Sequence, residues 1–247
     1  MATTASQTSV YVYGVTWADG TVAPRGAGVA GADVGTVEQG ELAAIVSTVA
    51  ARFVRAKRRD LMSHMDVLAK VFASRTVLPL RFGSVFPGPE AVAGELLGAR
   101  YEELVELLHR FDGLAELRVR GAYREEALLA EIVAGDAQIA RLREQTRSGA
   151  DTLRLQLGEA VAHAVARRRE RDAQALAKEL GPLAKDVVAE GLRTEFELVR
   201  ASYLVDERDI SKFDKRVGEI ARREEDRIMF TYAGPLPPHS FVALAGG

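Results

Sequence analysis

The sequence contains no cysteine. That one absence excludes disulfides, thiolate zinc sites, iron–sulfur clusters and a cysteine nucleophile. It fits a reducing compartment, so a cytoplasmic protein is expected. Histidine is scarce: His64, His109, His163 and His239 stand alone, and none falls at H-E-x-x-H or a comparable ligand spacing. No metal is expected. Serines lack a G-x-S-x-G elbow and the chain lacks a G-x-x-x-x-G-K-[ST] phosphate loop, so neither a catalytic residue nor a cofactor site can be named. No run of about 18 apolar residues occurs, which predicts no membrane span. The opening MATTASQTSVYVYG has neither the basic region nor the apolar core of a signal peptide. The net charge of −2 lacks the basic excess of a nucleic-acid-binding domain, so no nucleic-acid partner is expected.

What is present is a globular composition, 47% hydrophobic and 28% charged over 247 residues. Val10 to Thr16 is apolar on both alternating faces, which predicts a strand buried inside a sheet. Val34–Glu38 and Leu42–Ser47 read as two strands joined by a tight turn at Gln39-Gly40. Asp60 is placed to cap a helix whose Leu61, Met65, Leu68 and Phe72 recur at helical spacing. Thr76 to Phe82 reads as one strand, with Pro79 confining it to a sheet edge. Pro89 starts a helix with Val92, Leu96, Leu104, Leu108 and Phe111 on one face, and Leu117, Val119 and Gly121 alternate with Arg118 and Arg120 as a strand with one wet face.

The pattern changes from Glu125 to Leu180, where apolar residues keep helical spacing. One long helix or two is expected, interrupted at Ser148-Gly149, either folding back or projecting as an arm. Gly181-Pro182 ends it and restarts a short helix through Val188. Phe196–Val205 reads as a strand, Ile210, Phe213, Val217 and Ile220 as one helical face, and Ile228, Phe230 and Tyr232 as a final strand that the following prolines cannot continue. Strands and helices intermix at both ends, which gives an α+β protein with domains expected at 1–124 and 125–247.

Three constellations invite chemistry, and each has a plainer reading. Gly26 to Gly31 fits G-x-G-x-x-G, but about ten residues separate it from the preceding strand and a strand-like segment follows, so it reads as a glycine-rich loop. Asp60 and His64 share a helix and suggest a general base, yet His64 lies beside Leu61 and Met65 as a satisfied, partly buried histidine would. Arg52, Arg55, Lys57, Arg58 and Arg59 lack interleaved aromatics and read as a solvated connector or a docking patch for an acidic protein. Two further segments are odd for plain scaffold: Thr76-Val77-Leu78-Pro79-Leu80-Arg81-Phe82-Gly83-Ser84-Val85-Phe86, with a single arginine among apolar residues, and Gly234-Pro235-Leu236-Pro237-Pro238-His239-Ser240-Phe241-Val242. Phe241 in the second is expected to be packed in a structural closure rather than to lie in a loose tail.

These two segments resemble the hallmarks of the gas vesicle GvpF/GvpL protein family, and Y-V-Y-G-V near the start and Gly40 to Ser47 match it as well. Leu236 stands where the family has tryptophan, and His239 where it has tyrosine. The resemblance implies an α+β N-terminal domain followed by a C-terminal domain of long helices with a modified ferredoxin-like unit. It implies a non-enzymatic accessory or minor structural protein in the cytoplasm and on the gas vesicle, contacting the shell protein and other accessory Gvp proteins. The residues it singles out, as structural or partner-binding, are Pro79, Leu80, Arg81, Phe82, Gly83, Gly234, Pro235, Pro237, Pro238, Ser240 and Phe241. The competing expectation is a ferredoxin-like regulatory module that binds a small ligand or RNA.

Overall fold

A computed structural model describes residues 9–18, 27–50, 57–147 and 151–242. Most of the glycine-rich loop, Arg52 and Arg55 of the basic cluster, and Ser148-Gly149 lie outside the described residues. The chain divides into two compact units, Met1–Glu116 with Pro235–Gly247, and Leu117–Gly234. The division therefore falls earlier than the expected residue 124. The C-terminal segment also returns to the first unit, because Ser240 is hydrogen-bonded to Glu116.

In the first unit, β1 (Ser9–Trp17) is the strand on which the others assemble. β2 (Val34–Gln39) and β3 (Leu42–Val49) form the expected hairpin. The sheet order is β2-β3-β1-β4, with β4 (Leu78–Pro79) and β5 (Val85–Phe86) both pairing antiparallel with β1. β1 is thus bonded along both edges, and α1 (Arg58–Phe72) and α3 (Tyr101–Arg110) pack on it. Eight of its nine residues are buried, which is why it carries Val and Tyr without a polar face. Asp60 does not cap α1: the helix begins at Arg58 behind Lys57, and buried Asp60 accepts a hydrogen bond from Ala30 N–H at 3.1 Å. The helix expected from Pro89 is divided into α2 (Pro89–Ala91), a π-helical segment Val92–Gly98, and α3. Its five face residues are all buried nonetheless.

The second unit begins within β6 (Leu114–Tyr123) and continues through α4 (Glu125–Gly135), α5 (Ala137–Thr146), α6 (Asp151–Leu180), β7 (Asp186–Ala189), β8 (Glu197–Asp206), α7 (Ile210–Arg223) and β9 (Ile228–Leu236). The sheet order is β7-β8-β6-β9. Tyr123 N–H bonds to Phe196 C=O, and Arg124 N–H to Arg227 C=O, so the end of β6 meets the beginnings of both β8 and β9 and runs antiparallel to them. Strand–helices–strand–strand–helix–strand in this order is the ferredoxin-like arrangement, with three helices in place of one in the first crossover.

The long helical pattern breaks at Asp136, about three turns before Ser148-Gly149, and α5 ends at Thr146 and α6 begins at Asp151 on either side of that pair. The Asp136 backbone is extended and its carboxylate accepts Gln138 N–H and Ile139 N–H, which starts α5. α4 and α5 pack back on α6, so the region folds back rather than projecting. After Gly181–Leu183 turns the chain, the expected short helix is instead β7, whose Val187 and Val188 pair with Tyr203 and Ser202 of β8. β9 also runs on through Pro235 to Leu236; it is an edge strand, where a missing N–H costs no ladder bond. Leu117, Val119, Leu176, Leu180, Leu198, Tyr203, Phe213, Val217, Ile220 and Ile228 form the core of this unit.

Asp136→Ala removes the side-chain acceptor that caps the first turn of α5. It is expected to lower stability by about 1 kcal/mol, read as an earlier midpoint in urea unfolding. An unchanged midpoint would show that α5 is held by packing alone.

Candidate functional site

The first unit has a polar pair of tyrosines at its centre. Tyr11 and Tyr13 are fully buried, with ring centroids 5.0 Å apart. Tyr13 accepts Val29 N–H and bonds Ser47 Oγ, each at 2.8 Å, and Ser47 Oγ donates on to Asp33 C=O. Tyr11 Oη accepts Gly83 N–H at 3.2 Å, so its own proton goes to His64 Nδ1 at 2.8 Å. His64 is thereby the Nε2–H tautomer, and its N–H donates to Leu80 C=O. Burial, helped by the nearby His239, lowers the His64 pKa to about 4, so the ring is neutral at neutral pH.

This relay fixes the Leu80–Gly83 turn from beneath. Leu80 N–H bonds Tyr13 C=O, Ser84 N–H and Oγ both close on Arg81 C=O, and Ser84 C=O accepts Val12 N–H. The single strand expected over Thr76–Phe82 is therefore two short pieces, β4 and β5, on either side of a turn. Phe82 packs edge-on against Tyr11 and His64. Gly83 has φ of +94°, a conformation that side chains rarely adopt. Only the Arg81 side chain points away from this support: it is exposed, and its guanidinium makes no hydrogen bond or ion pair among the described residues.

The C-terminal segment reaches the same place. Gly234, at φ of +147°, again uses a conformation open to glycine. Pro237 and Pro238 are buried, and Phe241 and Val242 N–H both turn back onto Pro238 C=O. Ser240 N–H and Oγ donate to the two carboxylate oxygens of Glu116 at 2.7 and 2.9 Å, and Glu116 is wholly buried. Pro79, Leu80 and Arg81 then line a groove of about 210 Å³ with His239, Ser240, Phe241 and Val242. Segments from the middle and the end of the chain meet in one surface with a single guanidinium on it.

The sequence model of the family described as gas vesicle synthesis protein GvpL/GvpF matches residues 9–243. The chain belongs to the GvpL/GvpF family. A gas vesicle protein F from a Streptomyces strain is 35% identical over 240 residues, covering 95% of this chain and 99% of that one. A gas vesicle protein L1 from Halobacterium salinarum is 28% identical over 76% of this chain and 72% of its own length. The crystal structure of GvpF from an Anabaena species superposes with a TM-score of 0.84 at 25% identity, over 96% of this chain and 99% of that one. Family membership supports a role in gas vesicles as a structural or assembly protein, and the family's description names no reaction.

Of the family-motif residues, Pro79, Leu80, Arg81, Ser240 and Phe241 line the groove itself. Phe82, Gly83, Pro237 and Pro238 hold its walls, and Gly234 and Pro235 lie at the end of β9 that leads into it. The closure is anchored by the two prolines and Ser240, with Phe241 only half-buried. His64 is the satisfied buried histidine; its partner is Tyr11, not Asp60. Sequence reasoning missed Glu116, Tyr11, Tyr13 and Ser47 as members of the site. Glu116 lies on the face of β6 that Arg118 and Arg120 mark as wet, so alternation predicts exposure. It is buried where the C-terminal segment bonds it.

Among the described residues, no three His, Asp or Glu side chains gather as metal ligands would, and no helix is long and apolar enough to cross a membrane. The charged cluster of the second unit is internally paired: Arg227 reaches Asp172 and Glu224 at 2.8 and 2.5 Å, while Tyr123 and Arg168 also bond Asp172. Burial works to raise the Asp172 pKa, but these donors outweigh it and hold the carboxyl below its usual range.

Because His64 titrates near 6.5 when unfolded and near 4 when folded, the unfolded chain binds the extra proton between those values. His64's contribution is therefore fully present above about pH 6.5 and falls as pH drops to about 4, by on the order of 3 kcal/mol. In paired urea melts, the stability gap between wild type and His64→Gln should narrow over that window. A gap independent of pH would show that the ring is not buried neutral.

Proposed function

We propose that this chain is a non-enzymatic accessory protein of gas-vesicle assembly, acting in the cytoplasm and at the vesicle, which binds the vesicle shell protein and other Gvp proteins through the Arg81 groove. One observation carries the reading: the two sequence segments typical of the family line the same groove, and the one arginine in them is left exposed and unbonded at its edge. The Arg81 side chain is exposed and so available to a partner. Guanidinium offers five donors in a planar fork, which suits a carboxylate or a run of backbone carbonyls on a partner. Leu80, Phe241 and Val242 supply the apolar surroundings in which such a contact strengthens, the composition of an interface anchor. The buried relay beneath pre-organises the turn, so little ordering entropy is lost on binding.

The test is co-purification. Shell protein co-expressed with the wild-type chain should be recovered with it, and Arg81→Ala should reduce that recovery by about tenfold or more. The melting temperature of Arg81→Ala should match wild type, since the side chain is exposed and unbonded. Undiminished recovery with Arg81→Ala would overturn the assignment of the groove. Absence of shell protein from the wild-type complex would overturn the function.

A further inference from the structure

The second unit has a small polar pocket of about 170 Å³ where the end of α4 meets α6, and it shares no residue with the Arg81 groove. Three arginines of α6 line it: Arg167, Arg168 and Arg171. A spacing of four puts Arg167 and Arg171 on one face of the helix, about 6 Å apart along its axis. Two carboxylates also line the pocket, and both are already engaged. Glu131 pairs with Arg168 at 3.3 Å and with Arg227 at 2.8 Å. Asp136 accepts Gln138 N–H and Ile139 N–H where α5 begins. Arg168 is engaged as well, since it also reaches Asp172 at 3.1 Å.

Arg167 and Arg171 differ from their neighbours. Both are exposed, and neither guanidinium makes a hydrogen bond or ion pair among the described residues. Like charges at this spacing repel each other. Elsewhere the unit sets carboxylates against its arginines: Glu179 against Arg223, Glu190 against Arg200 and Asp206 against Arg208. Here two guanidinium forks line one concavity whose carboxylates are all taken, an arrangement that attracts an anion. Size and charge limit which one. The pocket has room for about six waters at ~30 Å³ each, well below the ~300 Å³ at which pockets for drug-sized ligands begin. It suits one small group rather than a whole nucleotide or peptide. A carboxylate carries one charge and is satisfied by one fork. A phosphoryl group carries about −1.5 to −2 at neutral pH and presents three acceptor oxygens, which two forks can meet together.

We infer that Arg167 and Arg171 form a binding site for a phosphoryl group, supplied either as free orthophosphate or at the end of a small phosphate ester. Binding offsets the repulsion between the two arginines and leaves the ion pairs of Arg168 and the cap made by Asp136 undisturbed. The site does not depend on the Arg81 groove or on binding of the shell protein, so either assignment can fail without the other.

The test follows the arginine Nε–Hε signals of isotope-labelled full-length protein by NMR at constant ionic strength, during titration with orthophosphate, phosphoethanolamine or acetate. Arg167→Gln and Arg171→Gln assign the two signals, and exposed Arg222 of α7 serves as the control. The Arg167 and Arg171 signals should shift to saturation with orthophosphate, acetate should bind at least about tenfold more weakly, and Arg222 should not respond. Each substitution should weaken phosphate binding by about tenfold or more. Neither should change the melting temperature of the ligand-free protein, because both side chains are exposed and unbonded. Saturation by phosphoethanolamine as well would identify a site that accepts an esterified phosphoryl group, and saturation by orthophosphate alone would identify the free ion as ligand; either supports the inference. Shifts that never saturate, that acetate reproduces at equal concentration, or that persist at undiminished affinity in Arg171→Gln would overturn it.

Discussion

The hydrogen bond from Tyr11 to His64 is the constraint on which the first unit depends. It joins the central strand to α1 across 53 residues of sequence, in a place from which solvent is excluded. Three groups would be stranded without it: the phenol, the imidazole and, through the phenol, Gly83 N–H. A buried polar group left without a partner costs about 1–3 kcal/mol, whereas a made bond contributes about 1. The relay therefore acts less by adding stability than by forbidding alternatives. The observed placement of the Leu80–Gly83 turn satisfies every member and turns Arg81 outward.

Glu116 applies the same logic to the other half of the groove. A wholly buried carboxylate is tolerable only when its oxygens are occupied, and Ser240 occupies both across 124 residues of sequence. The C-terminal segment is consequently positioned by a charge that has no cheaper solution. Buried prolines at 237 and 238 restrict the backbone on the way there. Rigid supports from two distant parts of the chain thus frame a small surface on which the Arg81 guanidinium stands exposed. A docking site benefits from that arrangement because its geometry exists before the partner arrives.

Much of the fold was legible in the sequence wherever a period was backed by burial. β1 lacked a polar face because residues on both of its faces are buried. The β2–β3 hairpin was marked by Gly40, and α7 by Phe213, Val217 and Ile220. What escaped was decided by single residues or by tertiary contacts. Asp136 reads as one more helix-surface charge until its carboxylate is seen capping α5. The Arg81 turn hides inside an apolar run because Leu80 and Phe82 are both packed while the arginine between them is not. Val187 and Val188 follow a helix-compatible segment, and only their pairing with β8 makes them a strand. At the site, motif residues were recognisable as letters, but the residues holding them were not. Tyr11, Tyr13 and Ser47 look like strand filler, and Glu116 like solvent-facing charge, until a partner distant in sequence is placed on each.

The central claim is that a rigid buried relay exists to present one exposed arginine for vesicle assembly. Complementation tests it most directly: a strain lacking this gene is supplied with the wild-type chain or with Arg81→Glu, and gas vesicles are counted by electron microscopy at matched protein levels. Wild type should restore vesicles, and the charge-reversed chain should accumulate in folded form yet leave cells with few or none. Normal vesicle numbers from Arg81→Glu would contradict the account.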